Sequence, residues 1–522
     1  MAWAGLAVAV AVSGCAHGAA PAGPAGPATS TVGSPPVPVT RAQPAGAAGS
    51  PAVLVVAGGT QPGQAAQLAR QVFSSAPVVV VAAQAPAAVA AGVTAARAAH
   101  APLLLAPASA RARTAAVIAG LATAVRGLHP QAVLVTGFPA AGLAAQLPAV
   151  TVVTAASQLP VTGGPATLLR GLAVLVPAVP GTGTGAQAAP ALAVAALAQT
   201  AGAAGATLVP VTGTGDPRAD PKAITTLARL RPRDVVAVGN EFAPAARLTQ
   251  RVDVAVTGIQ LPGGGQLMFP GRRLVALYGH PGTPGLGALG QQDLAQSVTR
   301  ARQMARLYRP LSRVPVVPTF EIIATVAEAA PGPDGTYSYQ TPVADLRPWV
   351  KQATAAGLYV VLDLQPGRAS LLSQAEAYQS LLEMPDVGLA LDPEWKLQPG
   401  QLPLHQIGHV NISEVNSVAS WLAGLTQHYR LPQKLLVLHQ FQLQMIRDES
   451  QLDTSHDDLA ILIHMDGQGT PGEKEATWDA VTAAAPRGVS FGWKNFFVKD
   501  HPMLTPARTM TNVPAPVMIS YQ

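Results

Sequence analysis

The sequence predicts an α/β protein in two unlike parts, a run of βαβ repeats followed by a (β/α)8 barrel. Short, wholly apolar runs of Val, Leu and Ala recur along the 522 residues, the pattern of parallel strands buried on both faces. Helix-forming stretches separate these runs, as crossovers between parallel strands require. The last 251 residues, from Arg272, match the ~250 of an eight-stranded barrel. A composition 49% apolar and 11% charged, with a single Cys, excludes collagen-like, coiled-coil and disulfide-stapled classes. Charge and aromatics divide unevenly. Only 5 of the 27 acidic residues precede residue 260, and with them only Trp3, Phe73, Phe138 and Phe242. Acid–base chemistry and ring stacking are therefore expected in the second half. The net charge of +6 comes from the first half, whose Arg residues are scattered singly. That spread does not make a nucleic-acid surface, and fits better beside an anionic envelope polymer or lipid.

The apolar run Leu6 to Val12 ends in Val12-Ser13-Gly14-Cys15, which resembles the bacterial lipobox. The resemblance implies a signal peptide over 1–15, lipidation of Cys15, and a protein held to the extracytoplasmic face of the cell membrane. Residues 16–50, rich in Ala, Pro and Gly, then read as a disordered tether. No later segment reads as a span, since Pro, Gly, Arg or His interrupts the apolar stretches at intervals below ~20 residues.

In the first folded region the expected strands are Ala52 to Ala57, Val78 to Ala82, Pro102 to Leu105 and Ala132 to Thr136. The helices between them are Pro62 to Phe73, Ala85 to Ala99 and Ala110 to Arg126. A second pass runs Leu172 to Val176, helix Ala186 to Ala201, Thr207 to Val211, helix Pro221 to Leu230 and Val235 to Gly239. These Rossmann-like passes, with Pro102-Leu-Leu-Leu105 and the closing Val133-Leu-Val-Thr-Gly137 and Val235-Val-Ala-Val-Gly239, resemble the cell wall-binding repeat 2 family. The resemblance implies two units, 51–150 and 151–262, that bind cell-wall polysaccharide or peptidoglycan. Gly58-Gly59 and the run Gly181 to Gly185 read as turns, because neither follows a dinucleotide fingerprint.

Residues 272–522 read as a TIM-type barrel. Its strands are Leu274 to Tyr278, Val314 to Phe320, Leu358 to Leu364, Val387 to Leu391, Leu435 to His439, Leu459 to His464, Val489 to Trp493 and Val517 to Tyr521. An ionisable or aromatic group stands at the end of each: His280, Glu321, Asp363, Asp392 with Glu394, His439 with Gln440, His464 with Asp466, Trp493 with Lys494, and Tyr521. Loops at the C-terminal ends of such strands build barrel active sites.

Gly388-Leu-Ala-Leu-Asp-Pro-Glu-Trp395 carries the most chemistry. Asp392 and Glu394, two apart on an extended segment, project the same way, and one carboxyl beside another is raised toward the pKa a general acid needs. An Asp-x-Glu ending the fourth strand resembles the chitinase-like and lysozyme-like barrel glycosidases. That resemblance implies Glu394 as general acid and Asp392 as its partner. Asp363, Asp466 and Glu321 would join them as further acidic site groups, the two Asp side chains supplying negative field. Trp395 and Trp493 would stack on sugar faces. Tyr278, Tyr521 and Gln440 would bind hydroxyls, with His280, His439, His464 and Lys494 beside them in the substrate site. A second class stays open, a non-catalytic wall-binding scaffold with a degenerate barrel. No cofactor or metal is expected, because neither His-x-His nor His-Glu-x-x-His spacing occurs. The absence of Gly-x-Ser-x-Gly argues against an α/β-hydrolase nucleophile.

Overall fold

A computed structural model describes residues 50–162, 168–179 and 188–522. The expected leader, Cys15, the tether up to Gly49 and the glycine run from 181 to 185 lie outside the described residues. Among the described residues, the first half contains eight strands: β1 (Ala52–Val56), β2 (Val78–Ala83), β3 (Leu103–Ala106), β4 (Ala132–Thr136), β5 (Thr151–Val153), β6 (Leu172–Pro177), β7 (Thr207–Val211) and β8 (Asp234–Val238). They form two parallel sheets of four, ordered β3-β2-β4-β5 and β7-β6-β8-β1. The first strand of the chain thus completes the second sheet, with Val53 beside Val235 and Val56 beside Val238. The hydrogen-bonded sheets therefore do not divide where 51–150 meets 151–262. Apolar runs look alike to one another, and only the outer edge of β8, which would otherwise leave backbone donors unpaired, selects β1.

The crossovers are α1 (Gln61–Val72), α2 (Pro86–Ala98), α3 (Ala115–Arg126), α4 (Ala141–Gln146), α5 (Ala188–Ala203), α6 (Pro221–Leu230) and α7 (Ala245–Ala255). Local chemistry sets their ends. Thr60 and Asp220 cap α1 and α6 by accepting from backbone N–H groups of the first turn, and each helix has Pro in that turn. Core residues of both sheets share one cluster, from Val78 to Val81 through Leu172, Val174 and Val236. Helix α5 packs across to the first sheet, where the Thr200 hydroxyl accepts from Leu103 N at 3.0 Å and donates to Leu103 O at 3.3 Å.

The second half is a closed barrel of eight parallel strands, compatible with a TIM-type barrel. β9 (Arg273–Gly279) pairs with β10 (Val316–Ala327), whose far end carries a short antiparallel strand β11 (Ser338–Gln340). The circuit continues through β12 (Tyr359–Leu364) and β13 (Val387–Leu391). Beyond a two-residue β14 (Val410–Asn411) it goes on to β15 (Lys434–Gln440), and beyond β16 (Ile446–Arg447) to β17 (Leu459–Met465), β18 (Ser490–Asn495) and β19 (Met518–Tyr521). β19 pairs with β9 and closes the ring. Around it lie α8 (Leu294–Tyr308), α9 (Val343–Ala355), α10 (Leu371–Ala377), α11 (Gln379–Leu382), α12 (Ile412–His428), α13 (Pro471–Ala484) and α14 (Pro506–Thr509).

Side chains alternate strictly. Leu274, Ala276, Val317, Tyr359, Val361, Ala390, Leu435, Val437, Leu462 and Met518 fill the interior, while Val275, Leu277, Phe320, Leu362, Leu389, Leu436, Leu438 and Ile519 pack on the helices. The segment entering the barrel seals its floor. Leu261 and Met268 join the interior cluster, and the buried Arg272 guanidinium donates to the carbonyls of Pro262, Gly264, Leu267 and Met268. Asp457, just before β17, clasps the first half to the barrel: its carboxylate takes Arg218 at 2.6 Å and Arg251 at 2.7 Å. Among the described residues, no helix is long and apolar enough to cross a membrane.

Candidate active site

The same alternation decides what faces the cleft. Counting by twos from the apolar interior brings Tyr278, Glu321, Asp363, Asp392, His439, His464, Asp466, Lys494 and Ser520 to the C-terminal end of the barrel, inside the ring. Three of the other candidates, Tyr521, Trp493 and Gln440, fall on the odd count. Tyr521 packs in the helical layer with its hydroxyl 2.6 Å from that of Tyr308 on α8, Trp493 packs against Trp478 of α13, and Gln440 donates to Glu449 at 2.9 Å. These three do not converge with the inward set. The inward residue of the last strand is Ser520, which the sequence reading passed over in favour of its aromatic neighbour. Two-residue alternation from Met518 would have found it. Glu321 lies within β10 rather than at its end, because β10 runs on to Ala327 against β11. Its register opposite Tyr278 still sets it in the same layer.

A chain of contacts links the inward groups. Buried His439 stands between two carboxylates, with Nε2 2.9 Å from Glu321 Oε1 and Nδ1 3.1 Å from Asp466 Oδ2. The Tyr278 hydroxyl donates to Asp363 Oδ2 at 2.8 Å and accepts from Gln365 Nε2 at 3.3 Å. The Lys494 ammonium sits 3.5 Å over the Tyr278 ring. His464 Nε2 meets Ser520 Oγ at 2.8 Å, and its ring fits only because residue 492 is glycine: a Cβ there would come within 2.5 Å of His464 Nδ1. His280 lies higher, between the hydroxyls of Thr283 and Thr341, and is half-buried.

Asp392, Glu394 and Asp466 converge most closely, with one carboxylate oxygen from each lying within 4.8 Å of the others. Oxygen ligands at that spacing suit a hard divalent cation, so these are the side chains that could hold one. Asp392 is buried and its Oδ1 has no hydrogen-bond partner, as is true of Asp466 Oδ1. Glu394 is half-buried and, with Trp395, lines a cavity of about 320 Å³ under the loop that follows.

Burial and neighbours push these groups apart in acidity. Burial, reinforced by Asp466, raises the Glu394 carboxyl to about 7 despite the opposing charge of Lys494. Burial with Glu394 and Asp363 nearby lifts Asp392 well above the carboxylate range, and burial raises Asp363 to about 6. Asp466 and Glu321 go the other way: burial would raise both, but His439 overrides it and holds each below its ordinary value. Burial would likewise lower His439, yet Glu321 and Asp466 keep it protonated, well above the usual imidazole value. His464 falls to about 4 through burial and the His439 charge, and is neutral.

Below about pH 7 the cleft therefore holds a protonated Glu394 facing an ionised Asp466. Such a divergence between neighbouring carboxyls separates an acid from a nucleophile or charge stabiliser. No family model, curated protein or solved structure matches the chain. The class is accordingly defined by fold and site: an α/β protein with a parallel-barrel domain and a carboxylate-rich cleft.

Proposed function

We propose that the barrel is a glycoside hydrolase acting on a wall or surface polysaccharide. In this reading residues 51–262 are wall-binding, Rossmann-like units and a lipid on Cys15 anchors the chain to the membrane. The observation that carries the catalytic reading is the Glu394–Asp466 pair, close together at the C-terminal face and driven to opposite protonation states. Glu394 protonates the glycosidic oxygen as the bond to the anomeric carbon breaks. Asp466 Oδ1, held ionised by His439, attacks that carbon and forms a glycosyl ester. Glu394, now a carboxylate, takes a proton from water, which displaces Asp466 and releases the sugar. Oxygens within 4.8 Å fit retention of configuration, for which the carboxyls lie ~5–5.5 Å apart, better than inversion. Asp392 and Asp363 add negative field for the oxocarbenium-like transition state. Glu321 acts one step back by fixing His439. Among the described residues, no Lys or Arg forms an ion pair with Glu394, Asp392 or Asp363, as a purely structural role would favour. Strands β6, β7 and β8 repeat the relative order of β2, β3 and β4, which supports reading the two sheets as related units.

The test is release of reducing sugar from purified cell wall by the full chain. Wild type should release it and Glu394→Gln should not. A wild type that binds wall material but cleaves no wall glycan would leave the scaffold reading in its place.

A further inference from the structure

The acid and an indole share one turn. Glu394 and Trp395 follow β13 on the one-turn 3-10 helix Pro393–Trp395, and the loop that leads on to α12 is fastened to it. Gly408 N donates to Glu394 O at 2.7 Å, Leu397 N to Gly367 O at 2.8 Å, and Lys396 Nζ to Ala369 O at 2.7 Å and Glu414 Oε1 at 2.8 Å. Only glycine lets the loop close at 408, since a Cβ there would collide with the carbonyls of Lys396 and Glu394. The cavity beside this turn, about 320 Å³, is at the small end of the ~300–1,000 Å³ of ligand sites. Its lining is mixed: Glu394, Trp395, His405 and Gln406 bring polar groups, and Leu397 and Pro403 apolar ones. The Trp395 indole Nε1 is buried and has no hydrogen-bond partner within the protein. An N–H in that position carries a desolvation penalty that a ligand oxygen would relieve. Gln406 donates to Leu402 O at 2.7 Å, which orients its amide and leaves Oε1 to accept. None of the lining residues is Lys or Arg.

A general acid touches the oxygen of the departing group, so a cavity walled by Glu394 adjoins that group rather than the sugar ring being attacked. The lining discriminates among leaving groups. An alkyl chain would leave the Trp395 N–H unpaired, and a uronate or phosphodiester would meet a carboxyl and no cation. A pyranose suits both kinds of surface, with C–H groups for Leu397 and Pro403 and hydroxyls that accept from the indole and donate to the amide. We propose that the cavity is the leaving-group subsite for an uncharged sugar, gripped by the Trp395 indole N–H and the Gln406 carbonyl, so that the bond cleaved lies inside a glycan chain. As that bond breaks, the Glu394 proton passes to the bridging oxygen, which stays with the sugar in the cavity as a hydroxyl. This rests on Glu394 being the acid, and it narrows the substrate from polysaccharide at large to one with a neutral pyranose on the leaving side.

Binding is read on the full chain carrying Glu394→Gln and ¹⁵N-labelled tryptophan, so that the ligand survives and each indole N–H gives its own NMR signal. The Trp395 signal is the one lost in Trp395→Phe. The probes are oligosaccharides from mild acid hydrolysis of purified cell wall, split on an ion exchanger into neutral and anionic fractions. The neutral fraction should move the Trp395 signal downfield in a saturable titration, and Gln406→Met should weaken that titration about fivefold. In the chain with Glu394 intact, Trp395→Phe keeps a ring, loses the N–H and should raise KM for wall glycan about fivefold, with kcat changed less. A Trp395 signal unmoved at saturating neutral oligosaccharide, or a titration untouched by Gln406→Met, overturns the subsite. A stronger response to the anionic fraction overturns the choice of an uncharged sugar. A shift that depends on Gln406 supports the subsite, and if the chain with Glu394 intact cleaves no glycan the same result counts against the hydrolase reading alone.

Discussion

Replacing Glu394 by Gln should cost activity and yet stabilise the fold at alkaline pH. Burial and Asp466 raise this carboxyl from an ordinary 4.5 to about 7. Between those values the folded chain holds a proton that the unfolded chain has released. Its contribution to stability is therefore fully present below about 4.5 and is lost as the pH rises toward about 7. At ~1.4 kcal/mol per pH unit, a shift of ~2.5 units is roughly 3 kcal/mol at most, carried as a penalty at pH 8. Glutamine cannot ionise and escapes it. Glu394→Gln should thus match wild type near pH 4 and exceed it by up to about 3 kcal/mol at pH 8, while hydrolysis falls by ~10²–10⁴. Urea unfolding followed by tryptophan fluorescence reads the barrel directly, because five of the six tryptophans (Trp349, Trp395, Trp421, Trp478 and Trp493) lie in it. A variant less stable than wild type at both pH values would show that the carboxylate makes structural contacts, and would sink the reasoning.

The wild-type rate should fall on the alkaline side near pH 7, where Glu394 loses its proton, and only well into acid where Asp466 gains one; a rate still rising at pH 9 is incompatible with Glu394 as acid. Asp466→Ala should lose at least ~10³ in rate and regain turnover with added azide, yielding a glycosyl azide detectable by mass spectrometry; rescue without that product would remove Asp466 from the nucleophile's role. His439→Gln leaves Glu321 buried without its counter-charge and should destabilise the barrel by ~3–5 kcal/mol in the same urea assay. Asp457→Ala strips Arg218 and Arg251 of a shared partner, and limited proteolysis should then cut between the first half and the barrel faster than in wild type.

Much of the barrel was legible because most of its strands are largely apolar runs between helical stretches. Val387–Leu391 appears with the limits expected. The inward set was legible except for Ser520, although the sequence could not separate it from outward-facing neighbours. Asp363, Asp392 and His439 could be placed at strand ends, but choosing Tyr521 over Ser520, or assigning Trp493 and Gln440 to the cleft, depended on a parity that residue type does not reveal. In β18 the polar Lys494 points in and the aromatic Trp493 out. Residue chemistry suggests the reverse for a sugar platform, and two-residue alternation overrules it.

Sequence by itself determined the local matters: which runs become strands, where Thr60 and Asp220 start helices, and that Asp392 and Glu394 share one strand end. Tertiary structure alone decided that β1 completes the second sheet, that Glu321 reaches His439 across 118 residues of chain, and that Glu394 and Asp466 are pushed in opposite directions in acidity. The reason is that propensity and capping act between neighbours in the chain, whereas desolvation and Coulomb terms sum over groups that only the closed ring brings within a few ångströms.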